Sequence, residues 1–166
     1  MTKPVIAPKF CQVAWVVKDI VAAERFFVET MGIPRFMHID NLAARDTQGT
    51  FMGKPADWVC HLHIAYAGDV QIELIQPVSG ASMFQESLDR HGDAVQHVAY
   101  WLDDADYDAA AAHLTASGYP EIQSFKLPIA RVGYFDTRGT IGVVTELIGA
   151  TEEGHEMRRN LKAGKF

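Results

Sequence analysis

Apolar and polar residues alternate with a two-residue period in several short runs of this chain, and two of those runs are near copies of each other. In Phe10–Val17, Gln12, Ala14 and Val16 fall on one face and Val13, Trp15 and Val17 on the other, as a half-buried strand requires. In Val95–Leu102 the same period sets His97, Ala99 and Trp101 on one face and Val98, Tyr100 and Leu102 on the other. A helical pattern follows each strand. Asp19 stands as a cap before a helix over Ile20–Met31, whose apolar stripe is Ala23, Phe26, Phe27 and Met31 and whose stop is Gly32. In the second case Tyr107, Ala110, Ala111 and Leu114 recur at i, i+3, i+4 and i+7 behind an acidic cap and before Gly118.

Three more strand-like runs follow each helix. They are Pro34–Asp40, Trp58–Tyr66 and Val70–Gln76 in the first half, the last two joined by an Ala-Gly-Asp turn, and Glu121–Leu127, Arg131–Asp136 and Ile141–Gly149 in the second. The order β-α-β-β-β thus occurs twice. The polar, glycine-containing segment Asn41–Asp57 reads as a mobile loop over a site. Pro77–Ala94 breaks the strand pattern, and Ser82 and Gln85 have capping-box spacing for a short helix ended by Gly92. The pattern predicts a first module over 10–76, a linker with a short helix over 77–94, a second module over 95–150 and a tail over 151–166. The tail reads as an amphiphilic or frayed helix and suggests no chemistry.

Gln-Val-Ala-Trp-Val-Val-Lys-Asp from Gln12 aligns with His-Val-Ala-Tyr-Trp-Leu-Asp-Asp from His97, and Gln-Ile-Glu-Leu-Ile around Glu73 aligns with Val-Thr-Glu-Leu-Ile around Glu146. One internal duplication explains both coincidences. Each half then supplies one polar residue early in its first strand and one glutamate in its last. Packed about a pseudo-twofold axis, Gln12, Glu73, His97 and Glu146 converge. An amide, an imidazole and two carboxylates form a borderline donor set for Zn, Ni, Co or Mn, and burying all four without a shared partner is costly. Taken alone, Glu73 is as readily a solvated residue on an exposed edge face, beside Gln71.

Composition narrows the partners. The 166 residues, with 48% hydrophobic, 10% aromatic and 22% charged residues, describe a globular chain, and the net charge of −6 disfavours nucleic acid. No run approaches the length of a membrane span, and the N-terminal residues lack a signal-peptide core, so a cytoplasmic protein is expected. Cys11 and Cys60, each in an apolar run and without CxxC spacing, read as buried reduced thiols.

The tandem βαβββ order, together with the duplicated phrases above, Gly-Asp-Val-Gln-Ile-Glu-Leu-Ile-Gln-Pro and Tyr-Phe-Asp-Thr, resembles the vicinal oxygen chelate superfamily over Phe10–Ala150. That superfamily includes glyoxalase I, methylmalonyl-CoA epimerase, extradiol dioxygenases and bleomycin-resistance proteins. The resemblance implies an α+β fold in which the two modules form an open, curved eight-stranded mixed sheet around a metal site. It also implies one divalent ion (Zn, Ni, Co or Mn) held by Gln12, Glu73, His97 and Glu146. The implied activity is metal-dependent isomerase or epimerase chemistry. A proton moves at the carbon next to a thioester or ketone carbonyl while the metal stabilises the enolate oxygen. Glu146 is the first choice of base and Glu73 the second.

A lactoylglutathione lyase shares the donor set, and a glutamine at the first position occurs in some glyoxalases, whereas epimerases usually have histidine there. An extradiol dioxygenase needs a second histidine ligand. A non-catalytic binding protein of the resistance type is the reading from another class. Expected partners are an acyl-CoA thioester or a glutathione hemithioacetal and a second copy of the chain in a homodimer, with no nucleic acid and no membrane. Asp40, Asp46 and Asp57 are candidates for a second proton-transfer group, and Lys126, Arg131 and Arg138 for contact with a phosphate or carboxylate of the substrate. His61 and His63 read as strand-face residues and not as ligands.

Overall fold

A computed structural model describes residues 4–166. Its strands are β1 (Phe10–Val16), β2 (Met37–Ala43), β3 (Thr50–Phe51), β4 (Lys54–Pro55), β5 (Val59–Ala67), β6 (Val70–Ser79), β7 (Ala94–Asp103), β8 (Glu121–Leu127), β9 (Ala130–Phe135) and β10 (Val144–Ala150). They form one mixed sheet in the order β2-β5-β6-β1-β7-β10-β9-β8-β3-β4. The helices are α1 (Ile20–Arg25), α2 (Met83–His91), α3 (Asp104–Ala116), α4 (Arg138–Ile141) and α5 (Glu152–Lys162). Asp19 caps α1 by accepting from the Ala22 amide, and Ser82 caps α2 through the Gln85 amide, both as their spacing predicts. The first helix continues past Arg25 as a π-helical turn, Phe26–Thr30.

The sheet repeats one pairing scheme. β1 runs parallel to β6, and β7 parallel to β10, while β1 and β7 meet antiparallel at the centre. Ala14 pairs with Glu73 and Ala99 with Glu146, and across the central seam Gln12 pairs with Ala99 and Ala14 with His97. The same polar residue, the alanine two positions on, and the same glutamate therefore recur about a pseudo-twofold axis. The sheet is curled. Its concave face carries a core with Ala14, Val16, Ala99 and Trp101, while α1 and α3 cover separate apolar clusters on the convex face.

Ten strands, not eight, make the sheet. The two additional strands come from Asn41–Asp57, which is not a free loop. After β2 the chain makes a 3-10 turn at Ala44–Asp46 and then forms the β3–β4 hairpin against β8 of the other half. The physical reason is the edge of β8, whose unpaired backbone groups need partners. Thr50 pairs with Ser124 and Phe51 with Gln123, while the Lys126 amide donates to the Thr47 carbonyl. Trp58 anchors the crossing. It is buried, its indole donates to the Thr50 carbonyl at 3.3 Å, and its ring meets Phe84 and Phe125 edge-on.

The tail is ordered too. Thr151 caps α5, which lies across the concave face and buries Leu161. Its first turn passes so close to the β8–β9 turn that a Cβ on Gly154 would stand 2.4 Å from the Ile129 carbonyl oxygen. Gly154→Ala is therefore expected to lower stability by about 1–3 kcal/mol through overpacking. A thermal melt measures it, and an unchanged midpoint would show that α5 docks less tightly than this contact implies.

Candidate metal centre

The side chains of Gln12, Glu73, His97 and Glu146 meet on the concave face, and each is 5% exposed or less. The Gln12 amide nitrogen donates to Glu73 Oε2 at 3.0 Å and to Glu146 Oε2 at 3.1 Å, and lies 3.2 Å from His97 Nε2. His97 Nε2 is 3.2 Å from Glu73 Oε2 and 3.1 Å from Glu146 Oε2. Four tips from two halves of the chain thus surround one point. Burial in the cup also decides the environment of Glu73, which is no exposed edge residue.

Charge balance at this point is tight. Burial disfavours a charged His97, but the Glu146 charge and the ring's hydrogen bonds to both glutamates outweigh it and push its pKa up to about 9. Burial raises the Glu73 carboxyl above its ordinary value, against the hydrogen bond from His97. The opposite ring nitrogen, His97 Nδ1, meets Gln96 Oε1 at 2.6 Å. Gln96 was not singled out by the sequence. It fixes the ring so that Nε2 faces the centre, the usual role of an outer partner to a ligating histidine. Behind His97 stand Phe84 and Tyr134, with ring centroids 6.4 and 5.2 Å away, and burial keeps the Tyr134 hydroxyl protonated.

The donor chemistry fits a divalent ion. Glu73, His97 and Glu146 offer ligand atoms within 4.8 Å of one another, and turning the Gln12 amide end for end presents its oxygen to the same point. Two buried carboxylates against one imidazole leave an anionic site that a cation neutralises.

In front of the centre is a cavity of about 70 Å³ lined by apolar side chains including Ile39, Leu62, Trp101, Phe125 and Ile148. Its carboxylates are Glu73 and Glu146. Asp46 and Asp57 do not line it, and Asp40 lies on the opposite face of the sheet beside His61, at 3.2 Å. None of the three loop acids thus borders the cavity, and for Asp40 the reason is strand alternation in β2, which turns it outward as it turns Ile39 inward. Arg131 is held by Asp104 and Asp108 and lies over the Tyr107 ring, and Arg138 is paired with Asp136. Neither these two arginines nor Lys126 lines the cavity. The cation that does so is Arg158 of α5, whose Nε donates to the Tyr66 hydroxyl at 3.1 Å. Its signal in the sequence was the spacing of Gly154, Met157, Arg158 and Leu161 on one helical face. Cys11 and Cys60 are free and buried, and burial pushes both thiols up to about 12.

A curled sheet of paired βαβββ modules with a four-residue polar centre defines a vicinal oxygen chelate fold. The chain belongs to the Glyoxalase/Bleomycin resistance protein/Dioxygenase superfamily, whose family model matches residues 11–132. Among solved structures it is similar to methylmalonyl-CoA epimerase from Mycobacterium tuberculosis, with a TM-score of 0.63 and 18% identity over 92% of this chain and 95% of that one. It is also similar to a hypothetical protein from Bacillus halodurans, with a TM-score of 0.61 and 17% identity over 87% of this chain and 95% of that one. A third match is a methylmalonyl-CoA epimerase in complex with methylmalonyl-CoA, with a TM-score of 0.58 and 19% identity over 86% and 94% of the two chains. At these identities the likeness is one of fold. No curated protein matches by sequence. No helix among the described residues is long and apolar enough to cross a membrane.

Proposed function

We propose that this chain is a metal-dependent epimerase or isomerase acting on the carbon next to a thioester carbonyl, of the methylmalonyl-CoA epimerase kind. The observation that carries the reading is the convergence of Gln12, Glu73, His97 and Glu146 at the inner end of an apolar cavity. These four would hold one divalent ion, which as a Lewis acid supplies stabilisation for charge developing on the carbonyl oxygen. In this reading Glu146 takes the proton from the neighbouring carbon, and Glu73, its counterpart across the pseudo-twofold axis, delivers one to the opposite face. Apolar walls keep water away and hold a carboxyl near the pKa a general base needs, and the raised Glu73 carboxyl is in keeping with that.

The cavity is small beside the roughly 300–1,000 Å³ common for ligand pockets. An acyl-CoA therefore needs α5 displaced from the mouth of the cup. The polar ties of that helix and the residues after it include His155 to Asp103 and Trp101, Arg158 to Tyr66, Lys162 to Asp69, and Arg35 to the Gly164 and Phe166 carbonyls. The Arg35 and Lys162 ties are exposed and so individually weak. A homodimer belongs to the same proposal, with β2 as a free sheet edge to be covered.

Lactoylglutathione lyase activity is the second reading, favoured by the amide donor Gln12 in the first strand. The test is metal content of the purified chain, followed by hydrogen exchange at the carbon between the carbonyls of methylmalonyl-CoA in deuterated water, read by NMR. The expected result is about one ion per chain at this centre and exchange that stops on chelation. Turnover of the methylglyoxal–glutathione hemithioacetal without thioester exchange selects the lyase. Metal-free protein that cannot be reconstituted and is inert to both substrates leaves a binding protein.

A further inference from the structure

A second cluster of metal-type donors stands on the convex face, away from the cavity. His38 of β2 and His63 of β5 are direct partners across an antiparallel pair. Their rings stack with centroids 3.8 Å apart and 13° between planes. Glu24, from α1, reaches over both. Its Oε2 lies 2.8 Å from His38 Nε2 and 2.5 Å from His63 Nδ1. The three donor atoms fall within 4.8 Å of one another.

One detail separates this arrangement from an ordinary surface ion pair. His63 is 4% exposed, and its Nδ1 makes no hydrogen bond, although the Glu24 oxygen is near enough for one. A buried ring nitrogen without a hydrogen bond is uncommon and needs a partner. It is also aimed at a carboxylate and at a second imidazole that solvent reaches.

We propose that Glu24, His38 and His63 form a second divalent-cation site, suited to Zn²⁺, that fastens α1 to the β2–β5 edge of the sheet. Two imidazoles and one carboxylate are a common zinc set, and they leave a fourth position for water or another ligand. That position opens into a surface cleft of about 280 Å³ walled by Val21 and Val28. Coordination to both rings requires them to splay from their stacked arrangement. His38 has the freedom to do so. Its side chain is 46% exposed, it lies on the edge strand, and the strand register slips just after it between Ile39 and Leu42, where Asn41 has a φ of +55°. Asp40, with Oδ1 3.9 Å from His63 Nε2, is placed to orient that ring from its other side.

The site is independent of the central one, and so is its test. Full-length protein is stripped with chelator, and Zn²⁺ stoichiometry and affinity are measured for wild type, His97→Ala, His38→Ala and His63→Ala. The expected result is that His97→Ala still binds one Zn²⁺, and that adding His38→Ala to it weakens this ion by more than the roughly 10–100-fold that loss of an outer partner brings. His38 is exposed, so its variant tests the site even if His63→Ala fails to fold. Zn²⁺ should also raise the melting temperature of His97→Ala, and His38→Ala should abolish that rise. Zn²⁺ binding by wild type that disappears in His97→Ala and is unaffected by His38→Ala overturns the proposal and leaves the central centre standing. Zn²⁺ bound equally by wild type and His97→Ala but lost in His38→Ala supports it while removing the central one.

Discussion

Glu146→Gln is expected to slow hydrogen exchange from the stereoisomer that Glu146 deprotonates by about 10²–10⁴-fold, the range typical of a lost general base, while divalent-ion binding is retained. The amide retains the size of the carboxylate and one donor oxygen, so the centre survives, but it cannot accept a proton at working pH. Glu73→Gln makes the comparison informative. The two glutamates are related by the pseudo-twofold axis and approach the same point, each within 3.2 Å of His97 Nε2. An epimerase that uses one on each face should lose wash-in of deuterium from one stereoisomer in the first variant and from the other in the second. Exchange at the wild-type rate in Glu146→Gln would rule out its role as the base.

His97→Ala should remove the ion at the centre and change how stability depends on pH. In metal-free protein His97 titrates at about 9, above its ordinary 6.5. A folded-state value above the unfolded one means that the charged ring stabilises the fold. The contribution is complete below pH 6.5, declines as pH rises, and is gone above about 9. Across that window it is on the order of 3 kcal/mol. The raised carboxyl of Glu73 acts in the same direction, since a carboxylic acid that prefers its neutral form in the fold also loses favour as pH rises. Chemical denaturation should therefore find wild type and His97→Ala furthest apart near pH 6 and closer together above pH 9. Binding of the ion requires a neutral ring, so affinity in the wild type should increase over the same range. A stability difference that does not vary with pH would mean that His97 is neutral in the metal-free fold.

Much of the molecule was legible in one dimension. The two-residue period in Phe10–Val17 and Val95–Leu102 and the caps at Asp19 and Ser82 are local preferences, and the folded chain keeps them. The duplication was also written in the residues. Gln12 and His97 precede matched alanines, and the pairing of Ala14 with Glu73 and of Ala99 with Glu146 is what such a repeat implies once each half folds alike.

What sequence could not express were the contacts between segments far apart in the chain. Asn41–Asp57 has the composition of a loop, and only the unpaired edge of β8, some 70 residues on, makes strands of Thr50–Phe51 and Lys54–Pro55. The tail offers only amphiphilic helical spacing, and it is docking across the cup that makes Arg158 and Leu161 walls of the cavity. His63 alone is a strand histidine, but its buried nitrogen meets His38 and Glu24 because β2, β5 and α1 adjoin. Alternation and capping depend on neighbours a few bonds away, so the sequence determined the repeated modules and the four inward-facing polar residues of the centre. Edges, cavity walls and the second donor cluster depend on which surfaces burial and unpaired backbone groups bring together, and that was decided only by the tertiary structure.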